Sequence, residues 1–174
     1  DCLLSRGLGD VYKRQGMVMA HGLFKATLFL AVGVIDHQAG TRDIRRLSGV
    51  GRMAPKLFTV SVIGAASMAG IPPLLGFVAK EAVLTAFWGD VSELAGAVAL
   101  VCAVVGSVLT VAYSARFLWG GFARKSASFS DLDAAPDGQS VISDFTPASW
   151  AFLMAPMALA GATVVLGLFP VPLE

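Results

Sequence analysis

Apolar residues fall into four long runs along the chain, and shorter polar stretches separate the runs. The runs cover about 17–38, 57–89, 94–119 and 148–169. Each run reaches the roughly 20 residues that a helix needs to cross a bilayer. The pattern therefore predicts an all-α transmembrane protein with four membrane-crossing helices.

The second run, residues 57–89, is too long for one straight crossing of a hydrocarbon core that is ~30 Å thick. Pro72 and Pro73 lie in its middle, with a glycine close by on either side. Two adjacent prolines remove two amide donors, and glycine permits unusual backbone angles. We therefore predict half-helices over about 57–70 and 77–89, joined by an irregular linker. Broken helices of this kind are typical of transport sites.

The charges between the runs predict the orientation of the chain. Residues 41–56 hold five basic side chains and a single acidic one, and the stretch 120–147 begins with further basic residues. The turn around 89–93 carries acidic residues and no basic one. By the positive-inside rule, 41–56 and 120–147 are cytoplasmic. One crossing for each run places both of these stretches on the same side.

The composition is typical of a membrane protein. Of the 174 residues, 56% are hydrophobic and 14% are charged, whereas about a quarter are charged in soluble domains. The net charge of +1 gives no indication of nucleic-acid binding. The two cysteines, Cys2 and Cys102, predict neither a disulfide nor a metal site.

The first residues do not share the pattern of the rest. Residues 1–15 mix polar and apolar side chains without a sustained period, and they resemble a translated sequencing-adapter remnant. We predict a non-native tail over 1–16 and a transmembrane domain over 17–174; the alternative is a genuine short loop outside the membrane. Because the chain has no initiator methionine, no signal peptide and no closing segment, we expect an internal piece of a larger protein.

The first apolar run carries ionisable side chains that a simple anchor would not need. His21 and Lys25 lie one turn apart on one helical face, and Asp36 returns to that face about 16 Å further on. A charge in hydrocarbon costs at least ~2.5–3.5 kcal/mol. Such a polar stripe is therefore expected to face protein or water. His37 follows Asp36 at the predicted helix end.

Lys25 is the strongest candidate for chemistry. It lies ~12 Å into the predicted helix, which is too deep for easy snorkelling. We interpret it as an amine that binds and releases protons; the alternative is an interfacial lysine. His21 is either its relay neighbour or a structural histidine. Asp36 and His37 are either the exit of the relay or a polar helix end.

Lys80 and Glu81 follow directly after the predicted break, beside a half-helix N-terminus. We predict that Lys80 and Glu81 belong to a proton path; the alternative for Glu81 is that it is only the ion-pair partner of Lys80. The sequence holds no glycine-rich phosphate loop, no metal-ligand spacing and no nucleophile–base–acid set. Buried lysine, histidine and acidic groups instead favour ion movement, so we expect a transporter rather than an enzyme.

Three ordered motifs together resemble the antiporter-like membrane subunits shared by respiratory complex I and the Mrp (multiple resistance and pH) cation/proton antiporters. They are HGLFKA at 21–26, AGIPP at 69–73 and GFVAKE at 76–81. A fourth stretch, IDHQAGTRDIRRL at 35–47, looks most like the A subunit of the Mrp branch. The resemblance covers about 17–170.

The resemblance implies an inverted-repeat transporter bundle, of which this chain holds the last three helices of the second five-helix half and one helix beyond. It implies that Lys25 is the central lysine of a half-channel, that His21 is its histidine neighbour and that Lys80 lies on the outward exit path. The first half-channel would lie outside this chain, so we do not expect the piece to transport by itself.

The implied function is that of one component of a multisubunit Na⁺/H⁺ antiporter in the bacterial cytoplasmic membrane. Its partners would be other subunits, the lipid bilayer, H⁺ and Na⁺ or another monovalent cation, and no cofactor is expected. Two alternatives stay open. One is a proton-pumping membrane subunit of NADH:quinone oxidoreductase, which genomic neighbours would distinguish. The other is a structural scaffold that conducts nothing.

Overall fold

A computed structural model describes residues 2–89, 94–124, 145–146 and 148–169, and every regular element in these ranges is helical. The elements are α1 (Cys2–Ala39), α2 (Val50–Met53), α3 (Pro55–Ala69), α4 (Leu75–Gly89), α5 (Leu94–Phe122) and α6 (Trp150–Leu168). The predicted all-α class is therefore confirmed.

Among the described residues, three stretches are long and apolar enough to cross a membrane alone: Gln15–Ala39 within α1, Leu94–Phe122 and Trp150–Leu168. The second predicted run is divided between α3 and α4, which have 15 residues each. Neither half reaches the length of a complete crossing, because 15 residues of α-helix span only about 22 Å.

The largest difference from the predicted boundaries is at the start of the chain. The helix expected over about 17–38 begins at Cys2. No proline precedes Pro55, and a helix extends easily once it has formed. α1 can therefore continue toward the N-terminus beyond the predicted start at residue 17. That residues 1–16 are a non-native tail stays a prediction. α5 also continues past residue 119 to Phe122, while residues 125–144 of the predicted stretch 120–147 lie outside the described residues.

α1 lies at the centre of the fold and contacts α3, α4 and α6, whereas α5 packs on α3 and α4. At the end near α2, a buried cluster joins α1, α2, α3, α5 and α6; its largest members are Leu47, Leu57, Phe122, Phe145 and Leu153. A second cluster lies near the start of α4 and joins α1, α3 and α4; its larger members are Phe24, Leu28, Met68 and Leu75.

α1 and α3 approach each other closely at Gly64, where a Cβ atom would lie 3.1 Å from the methyl group of Thr27. The hydroxyl of Thr27 donates to the carbonyl oxygen of Leu23 in its own helix at 2.8 Å, so this polar group is satisfied inside the contact. The close approach brings the middle of α1, which carries Lys25, beside the last turns of α3.

Candidate functional site: two lysines beside the break between α3 and α4

α3 ends in a Schellman motif, and this ending sets the geometry of the site. Gly70 adopts the left-handed conformation with a φ of 83°. Its backbone N–H donates to the carbonyl of Ser67 at 3.1 Å, and the N–H of Ile71 donates to that of Ala66 at 3.0 Å. These are the paired bonds of the motif, and they satisfy two of the four carbonyls that a helix end leaves free.

The ammonium group of Lys80, from α4, satisfies the other two carbonyls. Its Nζ donates to the carbonyl oxygen of Ala69 at 2.9 Å and to that of Met68 at 3.4 Å. The C-terminus of a helix carries a partial negative charge, so a cation is stabilised there. The close fit also requires glycine at position 70, because a Cβ atom there would lie 2.9 Å from Cδ of Lys80.

Thr110 of α5 provides the third acceptor for Lys80. The distance from Nζ to its Oγ1 is 3.3 Å, and the threonine hydroxyl donates its own proton to the carbonyl of Ser107 at 2.7 Å. A lysine ammonium has three N–H donors, and each of these three contacts takes one. Three helices therefore meet at one half-buried amine.

The start of α4 is fixed by the same turn of α3. The backbone N–H of Gly76 donates to Oγ of Ser67 at 3.2 Å, which satisfies one of the free donors of the new helix. α6 closes the other side: a Cβ atom on Gly167 would overlap the backbone of Pro73 and Leu74. The peptide bond between Pro72 and Pro73 is cis. The non-helical segment therefore packs against α6 at Pro73 and Leu74, while Ile71, Pro72 and Pro73 keep exposed surface.

Lys25 lines a cavity together with Met68, in a setting that differs from that of Lys80. It is half-buried near the middle of the Gln15–Ala39 stretch, and its Nζ lies 5.7 Å from the centroid of the Tyr113 ring. Among the residues that the structure describes, it has no carboxylate partner. It borders a cavity of about 190 Å³ whose other lining residues are Leu28, Phe29, Val32, Met68, Tyr113 and Phe117.

Met68 connects the two amines. Its carbonyl oxygen accepts from Lys80, and its sulphur accepts from the hydroxyl of Tyr113 at 3.0 Å, while the ring of that tyrosine faces Lys25. The structure thus links Lys25 and Lys80 through the contacts of one buried residue.

The other predicted site residues lie further out. His21 is exposed, and its ring contacts Phe24 with 5.1 Å between centroids. Asp36 forms an ion pair with Arg42 at 2.8 Å near the end of α1. His37 is exposed and contacts the ring of Phe152 from α6 at 5.1 Å. The structure does not place these three side chains in contact with either amine.

The expected ion pair between Lys80 and Glu81 is wrong for the described residues. Glu81 is exposed and forms no salt bridge there. Consecutive residues on a helix point in directions about 100° apart, so when Lys80 turns toward the end of α3 its neighbour must turn away. The free carbonyls of α3 and Thr110 take the place of the expected carboxylate.

Sequence reasoning missed Met68, Thr110 and Tyr113 as site residues. From the sequence, Tyr113 has the position of an interfacial anchor of α5. A signal was present, because Ser107, Thr110 and Ser114 recur with helical spacing within an otherwise apolar helix and mark one face. That spacing identifies a polar face but not what faces it.

The chain belongs to a family of integral membrane proteins. Residues 12–110, more than half of the chain, match the family described as NADH:quinone oxidoreductase/Mrp antiporter, TM. The match confirms the family that the ordered lysine, proline and glycine motifs predicted.

Within that family, the chain is similar to the A subunits of Na⁺/H⁺ antiporters. It is 36% identical to the one from Alkalihalophilus pseudofirmus over 86% of this chain and 18% of the relative. It is 44% identical to the one from Bacillus subtilis over 59% of this chain and 14% of that protein. The fold is similar to a chain in the structure of the Mrp complex from Dietzia sp. DQ12-45-1b, with a TM-score of 0.66 and 30% identity over 88% of this chain and 34% of that one. The chain thus spans less than a fifth of the length of these curated relatives.

Proposed function

We propose that this chain is part of the ion-translocating domain of an Na⁺/H⁺ antiporter in the bacterial cytoplasmic membrane, and that Lys25 and Lys80 belong to its proton path. One observation carries the proposal: two amines from different helices converge on Met68, whose carbonyl accepts from Lys80 and which lines the same cavity as Lys25. Placing a charged side chain in a membrane costs free energy, and a simple membrane anchor would not need these two lysines. The proposed role is transport rather than enzymatic catalysis.

We place α3 and α4 in the membrane as one crossing that is interrupted at Pro72 and Pro73, which gives four crossings within a larger inverted-repeat bundle. Each of the two helices has 15 residues and spans about 22 Å, less than a hydrocarbon core of ~30 Å. The basic stretch 41–56 and the stretch 120–147 then lie together on the cytoplasmic side, in agreement with the positive-inside rule.

The proposed mechanism couples charge on the two amines. A proton on Lys25 repels a proton on Lys80 across the low-dielectric site, so protonation of one favours release from the other. His21, one turn before Lys25, faces outward and is a route for protons between Lys25 and the rest of the complex. Asp36 and His37 form the mouth of the path at the cytoplasmic end of α1, and Glu81 forms a second, exposed acidic position beside Lys80. Changes in charge pairing along this path would drive Na⁺ outward.

Two alternatives predict different machinery. The family description also names NADH:quinone oxidoreductase, in which a chain like this one would pump protons with energy from quinone chemistry elsewhere in the complex. The names of the relatives support the antiporter instead. A scaffold that conducts nothing would use the lysines only for helix packing. The partners in the antiporter would be the remaining subunits, the bilayer, H⁺ and a monovalent cation.

The experiment is a Lys25→Ala substitution in the full-length protein, assembled with its partners in membrane vesicles. We expect Na⁺-dependent proton movement to fall to background, measured with a fluorescent ΔpH indicator and normalised to the amount of assembled complex. Lys56→Ala is the matched control, because Lys56 is an exposed lysine that lies 3.6 Å from the centroid of the Trp150 ring. Full transport by the Lys25→Ala complex would favour the scaffold.

A further inference from the structure

Tyr113 contacts Lys25 and also Met68, whose carbonyl binds Lys80. The proposed proton path does not by itself assign a role to this tyrosine. Its ring faces Lys25 at 5.7 Å, and its hydroxyl donates to the sulphur of Met68 at 3.0 Å. The side chain is 43% exposed, so burial alone does not explain its orientation. Both ends of the tyrosine are occupied by specific partners.

The face of a tyrosine ring attracts a cation because of the ring quadrupole, and it has no comparable attraction for a neutral amine. The ring therefore holds Lys25 while the lysine carries a proton and releases it after the proton leaves. The cavity of about 190 Å³ beside the two side chains provides room for this movement. Three aromatic rings line the cavity, those of Phe29, Tyr113 and Phe117. The described cation–ring contact of Lys25 is with Tyr113.

α5 contacts both lysines from one face. Thr110 accepts a hydrogen bond from Lys80, and Tyr113 follows it by three residues, which places the two side chains on neighbouring positions of the same helical face. A rotation or shift of α5 therefore changes the contacts of both lysines together. Among the described residues, the cation recorded over the ring of Tyr113 is Lys25; the other cation–ring contact is between Lys56 and Trp150.

We propose that Tyr113 is a positioning residue that holds the protonated Lys25 beside Met68 and, through the shared face of α5, couples its position to that of Lys80. The proposal rests on the proposed function, since it assigns the tyrosine a task in the same proton path. The hydroxyl group fixes the ring through the sulphur of Met68, which is a weak but real acceptor. The ring itself supplies the attraction for the ammonium.

The test changes the ring electrostatics while keeping the ring size. Tyr113 is replaced by phenylalanine and then by mono-, di- and trifluorinated phenylalanine in the complete complex, because each fluorine weakens the negative face of the ring. We expect the initial rate of Na⁺-driven proton movement per assembled complex to decline with every fluorine, by about 2- to 30-fold in total. A flat or rising series would overturn the proposal, because a residue that only fills space would not follow the ring quadrupole.

The same series at Phe117 is the matched control. Phe117 lines the same cavity one turn further along α5, and its ring contacts that of Phe122 rather than a cation. No trend with fluorination is expected there. A Lys25→Ala complex separates the two hypotheses. If it transports normally, the proposed function fails; if it is inactive and the Tyr113 series is flat, only the role of Tyr113 fails.

The hydroxyl contact is tested by Tyr113→Phe and Met68→Leu, alone and together. If the hydroxyl acts through the sulphur, each single change has the same modest effect on the rate, and the double change adds nothing to it. Additive effects would show that the hydroxyl and the sulphur act separately, and would overturn this part of the proposal.

Discussion

The two lysines of the site are both half-buried but are held in opposite ways. Lys80 has one acceptor for each of its three N–H groups, at 2.9, 3.3 and 3.4 Å. Lys25 has the face of one aromatic ring at 5.7 Å and an open cavity beside it. The first amine is part of the architecture of the break, since it completes the end of α3. The second makes one weak contact, with the face of the Tyr113 ring.

The difference indicates that the two lysines have different roles. An ammonium that completes a helix end is costly to move, because its departure leaves carbonyl groups without partners. An ammonium over a ring can leave without breaking a hydrogen bond. We infer that Lys80 keeps its position at the end of α3 and that Lys25 is the amine whose position changes. The two roles predict different responses to substitution.

The largest effect is expected when the contact between the end of α3 and the start of α4 is disrupted while both lysines are kept. A Cβ atom on Gly76 would overlap the carbonyl oxygen of Ser67, so Gly76→Ala must push α4 away from the end of α3. We expect a cost of about 3 kcal/mol or more, seen as a strong loss of assembled complex and of thermal stability. Gly33→Ala is the control, because nothing lies within 4 Å of the added atom. Equal behaviour of the two variants would mean that the contact at Gly76 does not hold the break together.

Much of this fixed side could be predicted from the sequence. The adjacent prolines predict a break by removing amide donors, and the lysine beside them is conspicuous in an apolar helix. What local sequence cannot specify is the partner of that lysine. The sequence suggests the adjacent Glu81, whereas the acceptors are Met68 and Ala69, eleven or more residues earlier, and Thr110, thirty residues later. Backbone carbonyls have no signature in a sequence, and their availability depends on how the preceding helix ends.

The mobile side was less predictable. The depth of Lys25 in its helix identified it, but Tyr113 suggested an interfacial anchor because tyrosine is common at membrane surfaces. Its actual contact depends on the position and rotation of α5 against α3 and α4, which residue spacing alone does not determine. His21 illustrates the reverse case: its spacing from Lys25 predicted a shared face, yet its side chain is exposed and contacts Phe24 within its own helix.

Removing each amine in turn sharpens the comparison directly. Lys80→Met leaves the carbonyls of Met68 and Ala69 without a partner, at roughly 1–3 kcal/mol for each buried group. We expect a lower midpoint of thermal unfolding and loss of transport in the purified complex. Lys25→Met should abolish transport at an unchanged or higher midpoint, because no hydrogen bond is lost and a charge is removed from an apolar setting. Similar decreases in midpoint for both variants would contradict the division into a fixed and a mobile amine.

A smaller effect is expected at Thr110, which acts on Lys80 alone. Thr110→Val keeps the shape and removes the acceptor for one of the three N–H groups, so the transport rate should fall about 2- to 10-fold, as expected for the net contribution of one ordinary hydrogen bond. Thr110→Ser restores the hydroxyl and should recover most of the rate. A valine variant that equals the parent, in the rate and in the thermal midpoint, would show that the contact at 3.3 Å is incidental.

The smallest effect is expected at Asp36, where α1 ends. Its ion pair with Arg42 has one partner 74% exposed and the other 33% exposed, and exposed pairs contribute only about 0–1 kcal/mol. Water reaches this carboxylate, so a proton that has arrived at the mouth of the path can leave without it. We expect Asp36→Asn and Arg42→Ala each to change the transport rate by less than about threefold, equal within error, in the same vesicle assay. A much larger loss for Asp36→Asn than for Arg42→Ala would show that the carboxylate itself carries protons, and the path would then have a third essential group outside the pair of lysines.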